Sequence, residues 1–538
     1  MKILMFLKKY LARYKWNAVI FVILNLVLWT FSFSTPYIIG KYIDSLISIA
    51  SKIKLWQGVM PLAIIWTLQI FSSYIKNIVG TKLHSKFSFH INYDLIEHLK
   101  RIPIRYFADK NSAYLNQRVS SDSESATTFI LDGTIGLLNT ILTLFFSIFI
   151  MFYLNSKLAT MLCFMFPIYL HIYFKFRQPL YNLNYKYLEE QNKFYSAMNK
   201  QLSNIKVIKQ NMWNDLVSKE LKDNFLEVYK AKIKNVKMSY LFNNLDSLVR
   251  YFANMMIFIY SGYQILEGKM SIGQFTMINS YSAMVISSVS GFLQFGKGYR
   301  HFLVVYDRIM DIYQKKEEEN GDIQISNVSN ISIRDLSFAY KERHIIKNFS
   351  AEMNKGNIYI VAGRNGSGKS TFIDILMGLL QDYSGDIYFN SINMKDIDIY
   401  NLRKNKLAIV EQEPILYFDT IRKNISNFDD GDSTIDNWIQ RLNLYDFISS
   451  LPEQIDSHIS EKNSNLSGGE KQRIAQVRAF GKGADILIFD EPNSALDKES
   501  LELFCAILRE IKDNKIIIVI THNKEIIEIG DEILYFES

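Results

Sequence analysis

A glycine-rich stretch at residues 363–371, Gly-Arg-Asn-Gly-Ser-Gly-Lys-Ser-Thr, constrains the fold of this 538-residue chain more than any other feature. It fits the pattern G-x-x-x-x-G-K-[ST], follows an apolar, β-branched run at 358–362 and precedes a segment with helical spacing at 372–380. A strand, a glycine-rich turn and a helix start direct backbone N–H groups toward one point, where a polyphosphate can bind. We therefore expect Lys369 to reach the β and γ phosphate oxygens and the Ser370 hydroxyl to hold Mg²⁺.

Two further segments suit chemistry on a bound polyphosphate. The apolar run 486–489 ends in Asp490 and Glu491. Asp490 suits the surroundings of Mg²⁺, and Glu491 suits polarising the attacking water. Residues 466–473, Leu-Ser-Gly-Gly-Glu-Lys-Gln-Arg, predict a turn that leads into a helix, and thus a second helix start that can bind an anion. Two such helix starts in one domain suggest a nucleotide held between two copies of the domain.

In these residues the chain resembles the ATP-binding cassette family, whose motifs follow in the family order over residues 325–538. Residues 363–371 resemble the Walker A loop, 466–470 the LSGGQ signature and 494–497 the D-loop. The resemblance implies an α/β P-loop nucleotide-binding domain that binds ATP with Mg²⁺ and hydrolyses the ATP. The residues that would bind the nucleotide are Tyr340, Gly363, Arg364, Asn365, Gly366, Ser367, Gly368, Lys369, Ser370, Thr371, Ser467, Gly468, Gly469 and Asp497. The residues that would act in catalysis are Gln412, Glu491 and His522, and the Mg²⁺ ligands would be Ser370, Gln412 and Asp490.

The resemblance also implies individual roles. Tyr340 would stack on adenine, Gln412 matches the Q-loop, and His522 resembles the switch histidine that contacts the γ-phosphate. The departure is Glu470, where the family usually has Gln. That position caps the signature, so we expect tuned rather than lost activity.

Length and cysteine content set outer limits on the architecture. The length suggests two or three domains, and the long apolar runs concentrate in the first 300 residues. The two cysteines, Cys163 and Cys505, lie far apart in the sequence, so no disulfide framework is implied. Residues 1–15 are basic and amphipathic, and the apolar run after them lacks a small-residue cleavage site, which argues against a cleavable signal.

Six segments are long and apolar enough to span a bilayer, which predicts an all-α transmembrane domain. They lie near residues 16–40, 57–79, 133–154, 157–176, 245–266 and 274–296. We expect Pro36 to break the first segment, and residues 155–156 to join the third and fourth in a tight helical hairpin. The i, i+4 spacing of Asp246 and Arg250 favours an ion pair at the membrane boundary over a role in substrate binding.

The distribution of charge predicts the orientation in the membrane. Lys and Arg are dense before the first span and in the stretches 77–132 and 177–243, and they are sparse in the short loops. By the positive-inside rule, both chain ends and both long loops are cytoplasmic in a multi-pass protein of the cell membrane. Topology therefore explains the net charge of +7, and no nucleic-acid partner is implied.

Apolar residues at three- and four-residue spacing in 77–105 and 183–243 predict helices that continue beyond the membrane. Such extensions are a feature of the exporter class of cassette transporters. The residues at 99–103, 106–107, 115–118 and 122 resemble the first cytoplasmic loop of those exporters, with Ala113 where the family usually has Gly.

Further details follow the same resemblance. Pro36, Gly40 and Asp44 match the family pattern at the end of the first helix, and residues 456–465 match the exporter-type contact loop. The resemblance also implies short coupling helices at the tips of the two long loops that dock on the cassette, by position near 110–119 and 196–207. The domains expected from the whole sequence are a transmembrane domain at 1–310, a charged linker at 311–325 and the cassette at 326–538.

One membrane domain fused to one cassette implies an ATP-driven exporter that works as a dimer, with itself or with a homologous half-transporter. Alternating access would follow because ATP favours the closed cassette dimer. A receptor or channel gated by the cassette is the rival, but a switch that only holds ATP needs no base such as Glu491. Family analogy alone favours a small peptide as substrate, including the bacteriocin type, with a multidrug or lipid substrate as the alternative. Polar and aromatic residues of the spans could line a cavity, although helix–helix hydrogen bonding is the favoured role for each: Asn25, Trp29, Gln69, Asn139, His171, Asn254, Asn279 and Gln294.

Overall fold

The computed structural model describes residues 13–48, 52–108, 112–341, 343–417, 419–426, 434–459, 466–493 and 496–536. Contacts within the chain divide it into two units. The first consists of Met1–Ile96 and Asn116–Tyr313, and the second of Glu97–Leu115 and Gln314–Ser538. The domain boundaries that we drew from the sequence stay a prediction. Residues 97–115, which include part of the first loop tip expected to dock on the cassette, group with the unit that contains the cassette.

The first unit consists of helices, most of them long. They are α1 (Lys15–Ser48), α2 (Lys52–Leu99), α4 (Ser112–Thr128), α5 (Thr134–Leu154), α6 (Ser156–Ser203), α7 (Ile205–Gln210), α8 (Asn214–Leu266) and α9 (Ile272–Tyr313), with a π-helical turn at Phe129–Gly133 between α4 and α5. The last residues of α2 and the first residues of α4 belong to the segment 97–115, which is part of the second unit. The same segment contains the short helix α3 (Arg105–Ala108).

Three helical stretches in the described part of the chain are long and apolar enough to cross a membrane. They are Lys15–Ile47, Gly58–Leu99 and Arg118–Leu154, and they contain or overlap the first three predicted spans. The other three predicted spans lie within α6, α8 and α9. Helices for these segments agree with the sequence analysis, while the total of six spans stays a prediction.

Pro36 does not break the first helix, contrary to our expectation. Helix α1 continues through Pro36 and ends at Ser48, so Gly40 and Asp44 lie inside it rather than at its end. A helix satisfies its backbone polar groups internally, which is decisive in apolar surroundings, and hydroxyl side chains supply hydrogen bonds next to a proline. Here the Thr35 hydroxyl donates to the Phe31 carbonyl at 2.8 Å, one residue before the Ser32 carbonyl that lacks its helical partner because of Pro36. The helix loses one backbone hydrogen bond at Pro36 and continues.

Two local predictions for the membrane helices are confirmed. Asn155 alone separates α5 from α6, and its side-chain oxygen accepts a hydrogen bond from the backbone N–H of Leu158 at 3.0 Å, which caps α6. Asp246 and Arg250 form the ion pair that their spacing indicated. The short helix of the second long loop is α7, later than the expected 196–207, because α6 runs on to Ser203.

The second unit contains an α/β fold with two sheets. Its strands are β1 (Asn330–Tyr340), β2 (Arg343–Asn354), β3 (Ile358–Gly363), β4 (Ser384–Phe389), β5 (Ile392–Asn393), β6 (Leu407–Val410), β7 (Ile486–Asp490), β8 (Ile516–Ile520) and β9 (Glu532–Phe536). Its remaining helices are α10 (Lys369–Leu376), α11 (Ile399–Asn405), α12 (Ile421–Ile425), α13 (Thr434–Arg441), α14 (Tyr445–Ser450), α15 (Gly468–Gly481), α16 (Lys498–Ile511) and α17 (Lys524–Ile527).

A parallel sheet in the order β6-β7-β8-β3-β9 forms the centre of this unit, and an antiparallel sheet in the order β2-β1-β4-β5 lies beside it. Strands β3, β7 and β8 are mostly apolar, rich in Ile and largely buried, as expected for parallel strands covered on both faces. Val361 of β3 and Asp490 of β7 are both in register with Ile520 of β8. The carboxyl ends of β3 and β7 therefore meet at the same edge, where ligands bind in such sheets.

Candidate functional site

The glycine-rich turn after β3 has the conformation that the sequence predicts. Gly366 and Gly368 have φ angles of 80° and 99°, in the region that favours glycine. At Gly363 a side chain is excluded by space, since a Cβ atom would lie 2.7 Å from the Phe536 carbonyl oxygen. Helix α10 begins directly after the turn, and its N-terminal N–H groups have no partner within the helix. Of the other loop residues, Arg364 and Asn365 are exposed at the tip, and the partly buried Thr371 lies in the first turn of α10.

The Lys369 side chain is folded over this turn. It is largely buried, and its Nζ atom donates hydrogen bonds to the Gly363 carbonyl at 2.8 Å and the Arg364 carbonyl at 3.1 Å. The buried Ser367 hydroxyl has no hydrogen-bond partner among the described residues. The turn thus combines a cation with unpaired donors, which is the chemistry that a polyphosphate needs.

Ser370 and Asp490 join the turn to the end of β7. The Ser370 hydroxyl donates to the Asp490 carboxylate at 3.2 Å. Burial raises the pKa of Asp490, and the neighbouring Glu491 adds to this by repulsion, while the bond from Ser370 opposes it. A hydroxyl beside a carboxylate offers the oxygen ligands that Mg²⁺ prefers, and a divalent cation would relieve the repulsion between the acids. The residues present therefore fit Mg²⁺.

Gln412 and Glu491 form a second contact across the same edge. The Gln412 side-chain amide donates to the Glu491 carboxylate at 2.7 Å, which joins the loop after β6 to the end of β7. Glu491 has a φ of 45°, unusual for a residue with a side chain, and its backbone N–H is bound to the Ile520 carbonyl at 2.9 Å. Strained backbone of this kind persists only where the surroundings hold it, and it occurs preferentially at functional sites.

His522 follows the neighbouring strand β8 and is exposed. Its position is set by the residue before it, because the Thr521 hydroxyl donates to the side chain of Asn493 at 3.1 Å. The segment after β8 is thereby tied to the segment after β7. His522 consequently lies at the same sheet edge as Glu491.

The signature-like turn forms the start of a separate helix. Ser467 is the N-cap of α15, and Gly468 and Gly469 are its first two residues. The Glu470 carboxylate accepts the Ser467 backbone N–H at 2.6 Å, and the Ser467 hydroxyl accepts the Glu470 N–H at 3.3 Å. This is a reciprocal capping box. The sequence indicated that residue 470 caps this segment, and the structure shows that Glu470 does so by accepting the Ser467 N–H.

Asp497 likewise begins a helix. It is exposed, its side chain accepts the Ser500 N–H at 2.9 Å as the N-cap of α16, and its hydrogen bonds with Ser500 lower its pKa. The rest of the D-loop-like segment, 494–495, and Glu461 of the contact loop lie outside the described residues.

Tyr340, the residue expected to stack on adenine, is the last residue of β1, and its side chain is 44% exposed. Its ring meets that of Phe338 edge to face, with centroids 5.0 Å apart. The ring is therefore held by the fold while part of its surface stays open for a ligand.

Two families of known proteins match separate parts of the chain. Residues 18–289 match the family described as ABC transporter transmembrane region, and residues 346–494 match the family described as ABC transporter. The chain belongs to the ABC transporter family. Within it, the chain is an ATP-hydrolysing exporter of the half-transporter type, in which a mostly helical membrane domain precedes a nucleotide-binding domain.

Relatives of this ABC exporter have different named roles. A putative export ATP-binding/permease protein of Rickettsia felis is 27% identical and covers 100% of this chain and 94% of its own length. An ATP-dependent lipid A-core flippase of Syntrophus aciditrophicus is 25% identical over 88% of this chain and 80% of its own. The microcin-J25 export ATP-binding/permease protein McjD of Escherichia coli is 29% identical over 63% of this chain and 59% of its own.

A solved structure of a bacterial Atm1-family ABC exporter with ATP bound has the same fold. Its TM-score is 0.84 at 21% identity, and the match covers 98% of this chain and 94% of the other. That likeness concerns the fold alone. It agrees with the fold class expected from the sequence.

Two charged side chains near the candidate site of this exporter, those of Asp374 and Arg105, were not identified from the sequence. Burial raises the pKa of Asp374, on the inner side of α10, to about 6, with repulsion from Glu411 and Asp490 adding to the effect. Arg105, from the segment 97–115, lies against the ring of Tyr340. Only contacts distant in sequence reveal these roles, because neither residue belongs to a motif.

Proposed function

We propose that the edge formed by β3, β6 and β7 binds Mg²⁺-ATP and hydrolyses it to drive export. The observation that carries this proposal is the pair of contacts Ser370–Asp490 and Gln412–Glu491, which converge beside the turn held by Lys369. Asp490, which suits the metal, and Glu491, which suits the attacking water, thus lie next to the glycine-rich turn that suits the phosphates. Phosphoryl transfer needs mainly positioning and electrostatic stabilisation, which such an arrangement supplies.

In this proposal each side chain has a definite task. Lys369 exchanges its carbonyl partners for phosphate oxygens, and Tyr340 stacks on the base. Ser370, Asp490 and Gln412 hold Mg²⁺, which when bound neutralises charge on the phosphates. Glu491, kept in place by its backbone bond to β8, accepts a hydrogen bond from the attacking water and orients it. His522 contacts the γ-phosphate from the adjacent strand.

The proposed working unit is a dimer, formed with a second copy or with a homologous half-transporter. Exporters of this family normally work as dimers. Ser467, Gly468 and Gly469 begin α15 with the open N–H groups of a helix start, so they suit the γ-phosphate of a nucleotide held by the partner cassette. Asp497, at the start of α16, belongs to the same proposed interface.

The proposed location is the cell membrane, with several spans and with the N-terminus and cassette in the cytoplasm. The membrane-domain family and the apolar helices support a membrane protein. The excess of Lys and Arg before the first span and in the long loops supports the orientation.

For the substrate we propose a small peptide, and a lipid is the second candidate. The relative named for microcin-J25 export supports the first, and the relative named as a lipid A-core flippase supports the second equally. Two polar residues of the membrane helices bond to neighbouring helices, as we favoured. The Trp29 indole donates to Thr143 at 2.8 Å, and the Gln69 amide donates to Ser32 at 3.1 Å.

The test uses the purified full-length chain reconstituted in lipid vesicles. We expect steady Mg²⁺-dependent ATP hydrolysis, stimulated by members of a peptide panel at micromolar concentration and not by lipid A-like glycolipids or cationic dyes. Stimulation by the glycolipids, with transfer of a labelled glycolipid between leaflets, would favour the second candidate. Nucleotide that binds without turnover would instead support a cassette-gated switch.

A further inference from the structure

Arg105 lies in the corner between two aromatic rings of the candidate nucleotide site. Its guanidinium carbon is 4.8 Å from the ring centroid of Phe338 and 5.5 Å from that of Tyr340. The two rings stand nearly perpendicular, at 86°. A planar cation in such a corner attracts both π systems and restrains the orientation of each ring.

The other contacts of Arg105 leave the rings as its main partners. Its Nη1 atom pairs with the Asp382 carboxylate at 2.9 Å. The Nε and Nη2 atoms are buried and have no hydrogen-bond partner among the described residues. Burying donors of a cation without acceptors is unfavourable unless another attraction compensates, and here the aromatic rings supply it.

The segment that carries Arg105 is fixed to the rest of the second unit. The Arg101 carbonyl accepts the Glu318 backbone N–H at 2.7 Å. The buried Glu318 carboxylate pairs with Arg403 at 2.8 Å, and Arg403 donates to the Met377 carbonyl at 2.7 Å, just beyond α10. One chain of contacts thus connects the segment to the end of the helix that begins at the glycine-rich turn.

We propose that Arg105 is a positioning residue for the base of the bound nucleotide. It holds the Tyr340 ring at the angle that stacking requires and leaves the phosphate contacts unaffected. Because residues 97–115 precede the cassette by about 200 residues, base affinity then depends on a segment from outside the cassette sequence. This inference rests on the proposed ATP site.

The experiment measures ATP hydrolysis by the full-length chain and competitive inhibition by inorganic tripolyphosphate, which has no base. In Arg105→Ala we expect the KM for ATP to rise roughly 2- to 30-fold, the range of one cation–π contact, with kcat little changed. The inhibition constant of tripolyphosphate should stay that of the parent. Arg105→Lys keeps the charge but not the plane, so its KM should be intermediate.

Two further variants separate positioning from a structural role. Arg101→Ala removes a nearby arginine that has no ring contact among the described residues and should leave the KM for ATP unchanged. In a Tyr340→Ala background, Arg105→Ala should add no further increase, because Arg105 acts through that ring. If Arg105→Ala does not fold, the KM for ATP and the inhibition constant of tripolyphosphate are compared between Arg105→Lys and the parent instead.

The outcomes distinguish the role of Arg105 from the existence of the proposed nucleotide site. An unchanged or lowered KM for ATP in both Arg105 variants, or equal weakening of tripolyphosphate binding, overturns the role of Arg105 alone. A fall in kcat at unchanged KM also overturns it, since the residue would then act on turnover. Failure of the parent chain to bind ATP would instead overturn the proposed nucleotide site.

Discussion

Replacing Glu491 with Gln should abolish most turnover while ATP still binds. The substitution keeps the length of the side chain and the Cβ atom at a φ of 45°, so it adds no backbone strain. It removes the negative charge of the carboxylate, which accepts a hydrogen bond from Gln412 at 2.7 Å and to which we assign the orientation of the attacking water. A general base contributes about 10²- to 10⁴-fold to a rate, which corresponds to roughly 3–5 kcal/mol of transition-state stabilisation.

The loss should appear in kcat rather than in nucleotide affinity. Removing the Glu491 charge eliminates one cause of the raised pKa of Asp490. The substitution therefore favours the ionised form of Asp490, which is the form that holds Mg²⁺. We expect the Kd for Mg²⁺-ATP to be equal to that of the parent or a few-fold lower, and ATP to accumulate on the protein unhydrolysed.

The assay compares phosphate release with equilibrium ATP binding for the parent, Glu491→Gln and Glu411→Gln. Glu411 is the matched control because it also repels Asp490 and is exposed, but no role as base is assigned to it. It should keep kcat within about threefold of the parent. Parent-like hydrolysis by Glu491→Gln, or an equal loss in Glu411→Gln, would refute the assignment of the base.

Three other predictions concern the dimer, the pH dependence and the topology. Ser467→Arg and Lys369→Ala should each be inactive alone, whereas mixed dimers should regain up to about half of the parental activity if the sites act independently; full activity of Ser467→Arg alone would exclude a shared site. Because the pKa of Asp374 is about 6 in the folded chain and 3.8 ordinarily, the folded state binds more protons between these values and loses stability as pH rises through them. Asp374→Asn should therefore raise Tm at pH 8 much more than at pH 4, and an equal Tm at pH 8 would contradict the effect of burial. In a background without native cysteines, Ile47→Cys should react with an impermeant thiol reagent on whole cells and Lys200→Cys should not; the reverse labelling would invert the orientation.

The sequence predicted the cassette fold well because its motifs are local. The turn at 363–371 needs only its own glycines and the strand and helix on either side. Asp490 and Glu491 end a strand that its Ile, Leu and Phe residues define. In a parallel sheet, the carboxyl ends of such strands meet at one edge whatever the loops between them contain.

The sequence failed where a residue acts through a distant partner. Pro36 lowers the local preference for a helix, yet α1 continues through it. The local preference does not include the need of a helix in apolar surroundings to satisfy its backbone groups internally. Arg105 counted only as one of many cytoplasmic charges until its contact with Tyr340, more than 200 residues later, was known. Asp374 fits an ordinary helix pattern, and its raised pKa arises from acids on two other elements.

Glu470 shows why a departure from the family pattern can be tolerated and still matter. The capping box needs an oxygen that accepts the Ser467 N–H, and the amide oxygen of a Gln would serve as well as the carboxylate does. Glu and Gln at position 470 can therefore form the same cap, and they differ in that only Glu carries a negative charge. A negative charge in the first turn of a helix stabilises it by about 0.3–1 kcal/mol. In the dimer that we propose, the same charge would repel a γ-phosphate approaching that helix start. We therefore expect the carboxylate to favour a well-formed signature helix over a tightly closed ATP dimer, and so to tune turnover without removing any group to which we assign a role in hydrolysis.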